Sequence, residues 1–200
     1  MESSSERCNR QCRRDFANND LSAFFFDIRK DSLYCDDAGD VTRRSYRTVL
    51  DVLFHALVRY AAPVLVFTAE EVWQARFPDA GSSVHLLEWP ELPPLPGDHA
   101  DEAAWGEVRA LREAVTEAIE PLRRDKIVRS SLEAEVTVPA LPMPAEALAE
   151  LFLVAKVTKA DGPITVSRTD NHKCGRCWRL LPEVVEDGAL CHRCDEVVSQ

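Results

Sequence analysis

Four cysteines near the end of the chain stand in two pairs, Cys174-x2-Cys177 and Cys191-x2-Cys194, with thirteen residues between the pairs. Two intervening residues let both sulfurs of a pair sit on one tight turn. Two such turns facing each other make a tetrahedral four-thiolate site of the kind zinc prefers. Four protein ligands leave no open position for water, so one such ion would be structural and would do no chemistry. The same residues also allow two disulfides or four free thiols, but count and spacing favour the metal.

Cations mark a second possible chemistry. Lys173, Arg176, Arg179 and Arg193 lie within a few residues of the cysteines, with Trp178 among them. A row of charges beside a ring suits a nucleic acid strand, since charge meets phosphate and the ring stacks a base. Equally, the cations would offset a negative metal–thiolate centre while Trp178 packs on the turn. Arg43, Arg44 and Arg47 form another cluster, in which 43 and 47 share a helix face. Guanidinium groups hold phosphates bidentately. They would also pair with Asp36, Asp37 and Asp40 just upstream, and on residue type alone that solvated, paired face is the stronger reading. Arg123, Arg124 and Lys126, followed by Arg129, make a weaker cluster at a helix end, where cations are favoured anyway.

No catalytic constellation accompanies these groups. The seven glycines are scattered singly, so no glycine-rich loop can cradle a phosphate. His55 falls in an apolar helical pattern and reads as a core group. His85, His99, His172 and His192 show no partner pattern; the last two flank the cysteines, where four thiols already fill a site. Cys8, Cys12 and Cys35 receive no role.

The elements that must position the cysteines and cations come from a chain of 200 residues with 46% hydrophobic content, enough for a real core. The net charge of -10 argues against a protein that is basic all over. Residues 61–126 hold thirteen acidic groups against six basic ones, while the two ends are near balance, so a local basic face remains available for nucleic acid. No apolar run approaches the roughly twenty residues of a membrane span. The first residues lack the apolar stretch of a secretory signal. An odd cysteine count fits a reducing cytoplasm with one metal site better than a disulfide scaffold.

The pattern predicts a mainly α protein: an antiparallel helical bundle, then a small α+β unit, then a C-terminal four-cysteine zinc finger. The segments are an atypical leader at 1–15, a helical part at 16–125, a mixed part at 126–170 and the finger at 171–200. Asp20 is placed as the cap of a first helix through Leu21, Phe24, Phe25 and Ile28, broken by Asp36–Asp40. Thr42 is placed as the cap of a second, whose stripe is Tyr46, Val49, Leu50, Leu53, Leu57 and Tyr60. Pro63 marks a break or kink near that helix's end, and Thr68-x-x-Glu71 has the form of a capping box opening a third. Val84–Leu87 reads as a short extended piece. Trp105, Val108, Leu111, Val115, Ile119 and Leu122 stripe a long helix that Pro121 should kink or end. Strands are placed at Leu132–Val138, Phe152–Val157 and Ile164–Ser167, with a helix over Pro144–Phe152.

The stretch from Asn19 to Asp36, with Asp27-Ile28-Arg29-Lys30-Asp31-Ser32-Leu33-Tyr34-Cys35-Asp36 at its core, resembles the anticodon-binding helical domain of bacterial isoleucyl-tRNA synthetases. The resemblance continues through Arg43-Arg44-Ser45, Ala61-Ala62-Pro63, Thr68-Ala69-Glu70-Glu71-Val72-Trp73, Val84-His85-Leu86 and Ser130-Ser131-Leu132-Glu133-Ala134. It ends on Cys174-Gly175-Arg176-Cys177-Trp178 and Cys191-His192-Arg193-Cys194, which resemble that family's zinc element. It covers the chain from about Phe16; residues 1–15 do not resemble the family.

The resemblance implies a class I aminoacyl-tRNA synthetase, which joins isoleucine to its tRNA with ATP in a catalytic domain that this sequence lacks. Neither the HIGH-type nor the KMSKS-type motif occurs. The chain alone is therefore expected to recognise an isoleucine tRNA and not to aminoacylate it, with ATP used only in the absent domain. A separate chain carrying the missing domains is a possible partner. By position, Cys174, Cys177, Cys191 and Cys194 would bind zinc. Arg43, Arg44, Arg47, Lys173, Arg176, Trp178, Arg179 and Arg193 are candidates for RNA contact. Two other classes share the cysteine pattern. One is the DNA glycosylase of the formamidopyrimidine type, against which Glu2 weighs because that enzyme needs a catalytic N-terminal proline. The other is a zinc-stapled protein-interaction module.

Overall fold

The computed structural model describes residues 14–78, 81–94 and 100–199; Cys8, Cys12 and His99 lie outside them. The chain divides into two units. One is Ala38–Gly97, and the other is made by the chain on either side of it. The helical part read as 16–125 is thus shared between units, because its long helix packs with the mixed region that follows.

In the larger unit the first helix runs straight through Asp20, which caps nothing. It is wound as a π-helix over Phe16–Phe26 and as helix α1 over Asp27–Cys35. Asp20 instead meets Arg109 at 2.6 Å, and Asp27 meets Arg112 at 2.9 Å, so both carboxylates serve contacts far along the chain. Arg109 also lies 4.5 Å from the centre of the Phe24 ring. The helix ends at Asp36, which turns extended, as the Asp-Asp-Ala-Gly-Asp stretch predicts.

The partner in those contacts is the long helix α4, Ala100–Arg124. Its predicted stripe is real: Val108, Val115 and Ile119 are buried, with Trp105, Leu111 and Leu122 packed beside them. Pro121 lies inside the helix and does not end it. So close to the terminus the missing N–H costs one intrahelical bond, and the helix stops only after Arg124. Lys126 then takes a left-handed φ of 59°, and the Ile127 N–H donates back to the Leu122 carbonyl at 2.9 Å.

The small sheet packs onto this helix stripe. Its strands are β1 (Ala134–Val138), β2 (Lys156–Lys159) and β3 (Thr165–Arg168), in the order β2-β1-β3. β1 runs parallel to β2 and antiparallel to β3, with Val136 opposite both Val157 and Val166. Helix α5 (Ala145–Phe152) crosses between β1 and β2, as a parallel pair requires. Alternation along β1 buries Ala134, Val136 and Val138 against Leu148, Leu151 and Phe152. Burying a side chain of Leu148's size contributes about 1.5–3 kcal/mol. Two strand expectations shift here. Residues Ser131–Glu133 form a 3-10 turn, begun by the Ser130 hydroxyl accepting from the Leu132 N–H. Leu153 is left-handed at φ 56°, ending α5 where a strand start is predicted.

In the unit Ala38–Gly97, helices α2 (Val41–Ala61) and α3 (Val66–Arg76) pack together. Asp40, and not Thr42, caps α2: its carboxylate accepts from the N–H groups of Thr42 at 2.7 Å and Arg43 at 3.1 Å. The face that packs holds Phe54, Val58 and Ala62, against Ala69, Trp73, Phe77 and Val84. Of the predicted stripe Tyr46 is buried, whereas Val49, Leu57 and Tyr60 are exposed. His55 sits among Phe54, Trp73 and Phe77. α3 opens two residues before Thr68, so Thr68-x-x-Glu71 is no cap. Its neighbour Glu70 has the structural role, accepting from Gln74, the Ser83 hydroxyl and the Val84 N–H. Those bonds, led by Gln74, hold its carboxyl below the usual carboxylate range. They also wind Val84–Leu86 into a 3-10 turn where an extended piece is predicted. None of the described helices is long and apolar enough to cross a membrane.

Candidate metal centre and nucleic-acid interface

The cysteine element is built from a two-stranded ribbon and a short helix. β4 (His172–Lys173) pairs antiparallel with β5 (Leu180–Leu181), and Cys174 and Cys177 lie on the turn between them. The Trp178 N–H donates to the Cys174 carbonyl at 3.1 Å, closing that turn. Cys191 stands at the head of helix α6 (His192–Val198), and Cys194 falls in its first turn. The loop Glu186–Ala189 crosses over the first turn, with the Gly175 N–H donating to the Ala189 carbonyl at 3.1 Å. The fit leaves no room for a side chain at 175: a Cβ there would collide with the Gly188 carbonyl oxygen.

These turns converge four ligand atoms. The sulfurs of Cys174, Cys177, Cys191 and Cys194 all lie within 4.8 Å of one another, and the four residues can hold a metal ion. A tetrahedron with metal–sulfur bonds of about 2.3 Å sets its sulfurs about 3.8 Å apart. Cys177 and Cys191 Sγ stand 3.8 Å apart. None of the four thiols is in a disulfide. His172 and His192 stay out of the set, facing Asp187 at 3.6 Å and Glu196 at 3.2 Å. Burial holds the Cys177 and Cys191 thiols above the ordinary range. Burial acts the same way on Cys174, but the N–H groups of Cys177, Cys191 and Arg176 outweigh it and bring that thiol down to about 6.

The cations around the centre divide by what faces them. Lys173 is exposed and sits 5.0 Å from the centre of the Trp178 ring, which is itself 60% exposed. Trp178 holds a left-handed φ of 66°, the cost of turning the chain directly after Cys177. Arg179 reaches Glu150 at 3.2 Å. Arg176 and Arg193 turn inward. Arg176 donates to the carbonyls of Cys35 at 2.6 Å and Tyr34 at 3.2 Å, and approaches Cys194 Sγ at 3.6 Å. Arg193 forks onto both oxygens of Asp31, at 2.8 and 3.0 Å, and onto Asp36 at 2.8 Å.

Cys35, to which sequence reasoning gave no role, is buried in the same cluster as the ligand cysteines and Val184. Burial, then the charge of Asp31, pushes its thiol up to about 11. Nothing in the local pattern of residues 31–36 marks them as neighbours of the cysteine element.

In the other unit, Arg43, Arg44 and Arg47 occupy the first turns of α2. Arg44 and Arg47 are exposed, and Arg43 is partly buried. Among the described residues neither Arg44 nor Arg47 has an ion-pair partner. Of the acids nominated to pair with them, Asp40 is engaged in the helix cap and Asp36 on Arg193.

A helical segment followed by a four-cysteine element is the context in which a family assignment can be tested. The family described as the anticodon-binding domain of tRNA ligases matches residues 11–138, and the chain belongs to that family. The match begins inside the leader that was set apart at 1–15. Among individual proteins, the chain is similar to the isoleucine–tRNA ligase of Zymomonas mobilis, with 59% identity over 199 residues, covering 93% of this chain and 21% of the relative. It is also similar to the isoleucine–tRNA ligases of Gluconobacter oxydans, at 46% identity, and Ruegeria pomeroyi, at 42%. Those alignments cover 92% and 90% of this chain and 21% of each relative. The chain therefore spans about a fifth of the length of the relatives it matches.

Proposed function

We propose that this chain is the tRNA-reading part of an isoleucine–tRNA ligase and that it engages the anticodon region of an isoleucine tRNA. The observation that carries this reading is the family match over residues 11–138, joined to a cysteine element whose exposed edge offers Lys173 and Trp178. The ion held by Cys174, Cys177, Cys191 and Cys194 is zinc, which takes four thiolates in a closed tetrahedral site and keeps the fold of a segment too short to bury much apolar area. In RNA binding, Trp178 stacks a base while Lys173 meets a phosphate. Arg43, Arg44 and Arg47 offer a second group of phosphate contacts. Joining isoleucine to tRNA with ATP belongs to the remainder of such a ligase, on the same polypeptide or on a separate chain.

The test is binding of the zinc-loaded protein to an isoleucine tRNA and to a noncognate tRNA across a salt series. Preferential binding with a steep salt slope supports the reading. Equal binding of both removes isoacceptor recognition, and no binding removes the function. Isoleucine-dependent ATP–pyrophosphate exchange by the pure chain would contradict the division of labour. A folded, reduced chain that contains no metal and ignores chelators would contradict the zinc assignment.

A further inference from the structure

We infer that Arg176 and Arg193 are positioning residues, which latch the metal turns onto the end of α1 and so fix the direction in which Trp178 and Lys173 face. The inference rests on the tRNA reading above for its consequence, and on intramolecular geometry for its substance. One arginine comes from each ligand turn: Arg176 lies between Cys174 and Cys177, and Arg193 between Cys191 and Cys194. Both cross more than a hundred residues of sequence to the same place.

The end of α1 is suited to receive them. The last carbonyls of a helix lack intrahelical partners and carry the negative end of its dipole. Arg176 supplies two donors to those carbonyls, at Tyr34 and Cys35. Arg193 supplies a planar fork to Asp31 in the final turn, and reaches Asp36 just beyond it. Fork geometry of this kind is specific to arginine; a lysine ammonium is a point charge and cannot reproduce it. Cys35 closes the seam from the helix side, buried against Cys174, Cys191, Cys194 and Val184. Arg176 also approaches Cys194 Sγ, so one guanidinium touches both a ligand atom and the helix end.

If the latch is correct, its loss disorients the RNA-facing edge without removing a phosphate contact. The experiment compares wild type with Arg193→Lys and with the double variant Asp31→Asn/Asp36→Asn, all zinc-loaded and with metal content measured. The readouts are hydrogen exchange over residues 31–36 and tRNA affinity against salt. Both variants are expected to lose protection at 31–36 while keeping their zinc. Both are expected to bind tRNA roughly tenfold more weakly, the cost when the competent orientation is populated about a tenth of the time, with an unchanged salt slope.

The double variant removes two negative charges, so a purely electrostatic account predicts equal or tighter binding, and that result would overturn the latch. Arg193→Lys with wild-type affinity, or an Arg193→Gln variant whose salt slope falls by about one with protection intact, would make Arg193 a phosphate contact and equally overturn it. Should wild type bind no tRNA, the functional reading fails by itself, and exchange at 31–36 still decides the latch.

Discussion

Arg193 and Arg44 are the same residue type in similar sequence settings, yet their surroundings differ in kind. Arg193 stands beside a ligand cysteine and spends its guanidinium on Asp31 and Asp36. Arg44 stands at the head of α2, exposed, in a turn whose nearest acid is occupied with backbone N–H groups. The sequence-level reading favoured solvated pairing for the α2 cluster and left the cysteine-side cluster even. In the fold Arg176 and Arg193 turn inward, whereas Arg44 and Arg47 stay exposed without an ion-pair partner among the described residues. What faces a cation decides whether it is available to a phosphate, and the opposite partner is rarely near in sequence. The comparison separates cations that organise the protein from exposed cations that have no ion-pair partner among the described residues.

Metal removal is the largest blow that can be dealt to one side of it. Apparent binding energies of structural zinc in finger peptides are about 10–16 kcal/mol, and they become folding energy for the segment that holds the ion. Chelation should therefore abolish hydrogen-exchange protection over residues 172–198, while α2 and α3 keep theirs through the Phe54–Trp73–Phe77 cluster. Loss of protection in both places would break the comparison, because the two cation sets would then share one folding event. Acid should do the same by competition. Burial favours the protonated thiols of Cys177 and Cys191 in the metal-free chain, so binding must displace protons and affinity must fall as pH falls. Release followed with a chromogenic chelator between about pH 8 and pH 5 checks the sign; a flat profile would contradict it.

A smaller, more local change is Gly175→Ala. The added methyl would meet the Gly188 carbonyl, a backbone group that cannot swing aside. A cost of about 1–3 kcal/mol is expected, as for other overpacked sites, read as earlier thermal unfolding and weaker metal retention. An unchanged midpoint would mean that the loop over the turn shifts freely, and the latch would then have no rigid body to hold.

The parts of this molecule that were legible in the sequence are those encoded by local spacing. The two CxxC turns and the stripe of α4 are of this sort, because a turn and a 3.6-residue period are written in neighbouring residues. The stripe of α2 was misassigned because that helix carries apolar residues on more than one face. Phe54 and Val58 pack inside the unit, while Val49, Leu57 and Tyr60, at equally good helical spacing, are exposed. The cap of α2 was misplaced by two residues because Asp40 competes with Thr42, and both side chain types can accept from the first N–H groups of a helix. The contacts of Asp31, Asp36 and Cys35 with the metal element had no local signature. They depend on a tertiary approach between segments some 140–160 residues apart, and a single sequence records neither partner as such.

The smallest effects sharpen the comparison most. Trp178→Ala should cost about 1–3 kcal/mol of tRNA binding, the range for losing one base stack, and should leave the salt slope alone. Arg44→Gln and Arg47→Gln should behave in the opposite way. Each should lower the salt slope by about one if it meets a phosphate, with stability within about 0.5 kcal/mol of wild type because no intramolecular partner is lost. Titrations of the three variants at several salt concentrations, with thermal unfolding alongside, separate these signatures. If Arg44→Gln and Arg47→Gln leave both affinity and slope unchanged, exposure without a partner is not enough to make a contact, and the RNA path runs along the cysteine element alone. If they destabilise the protein instead, the α2 cations belong with Arg193 among the groups that build the fold.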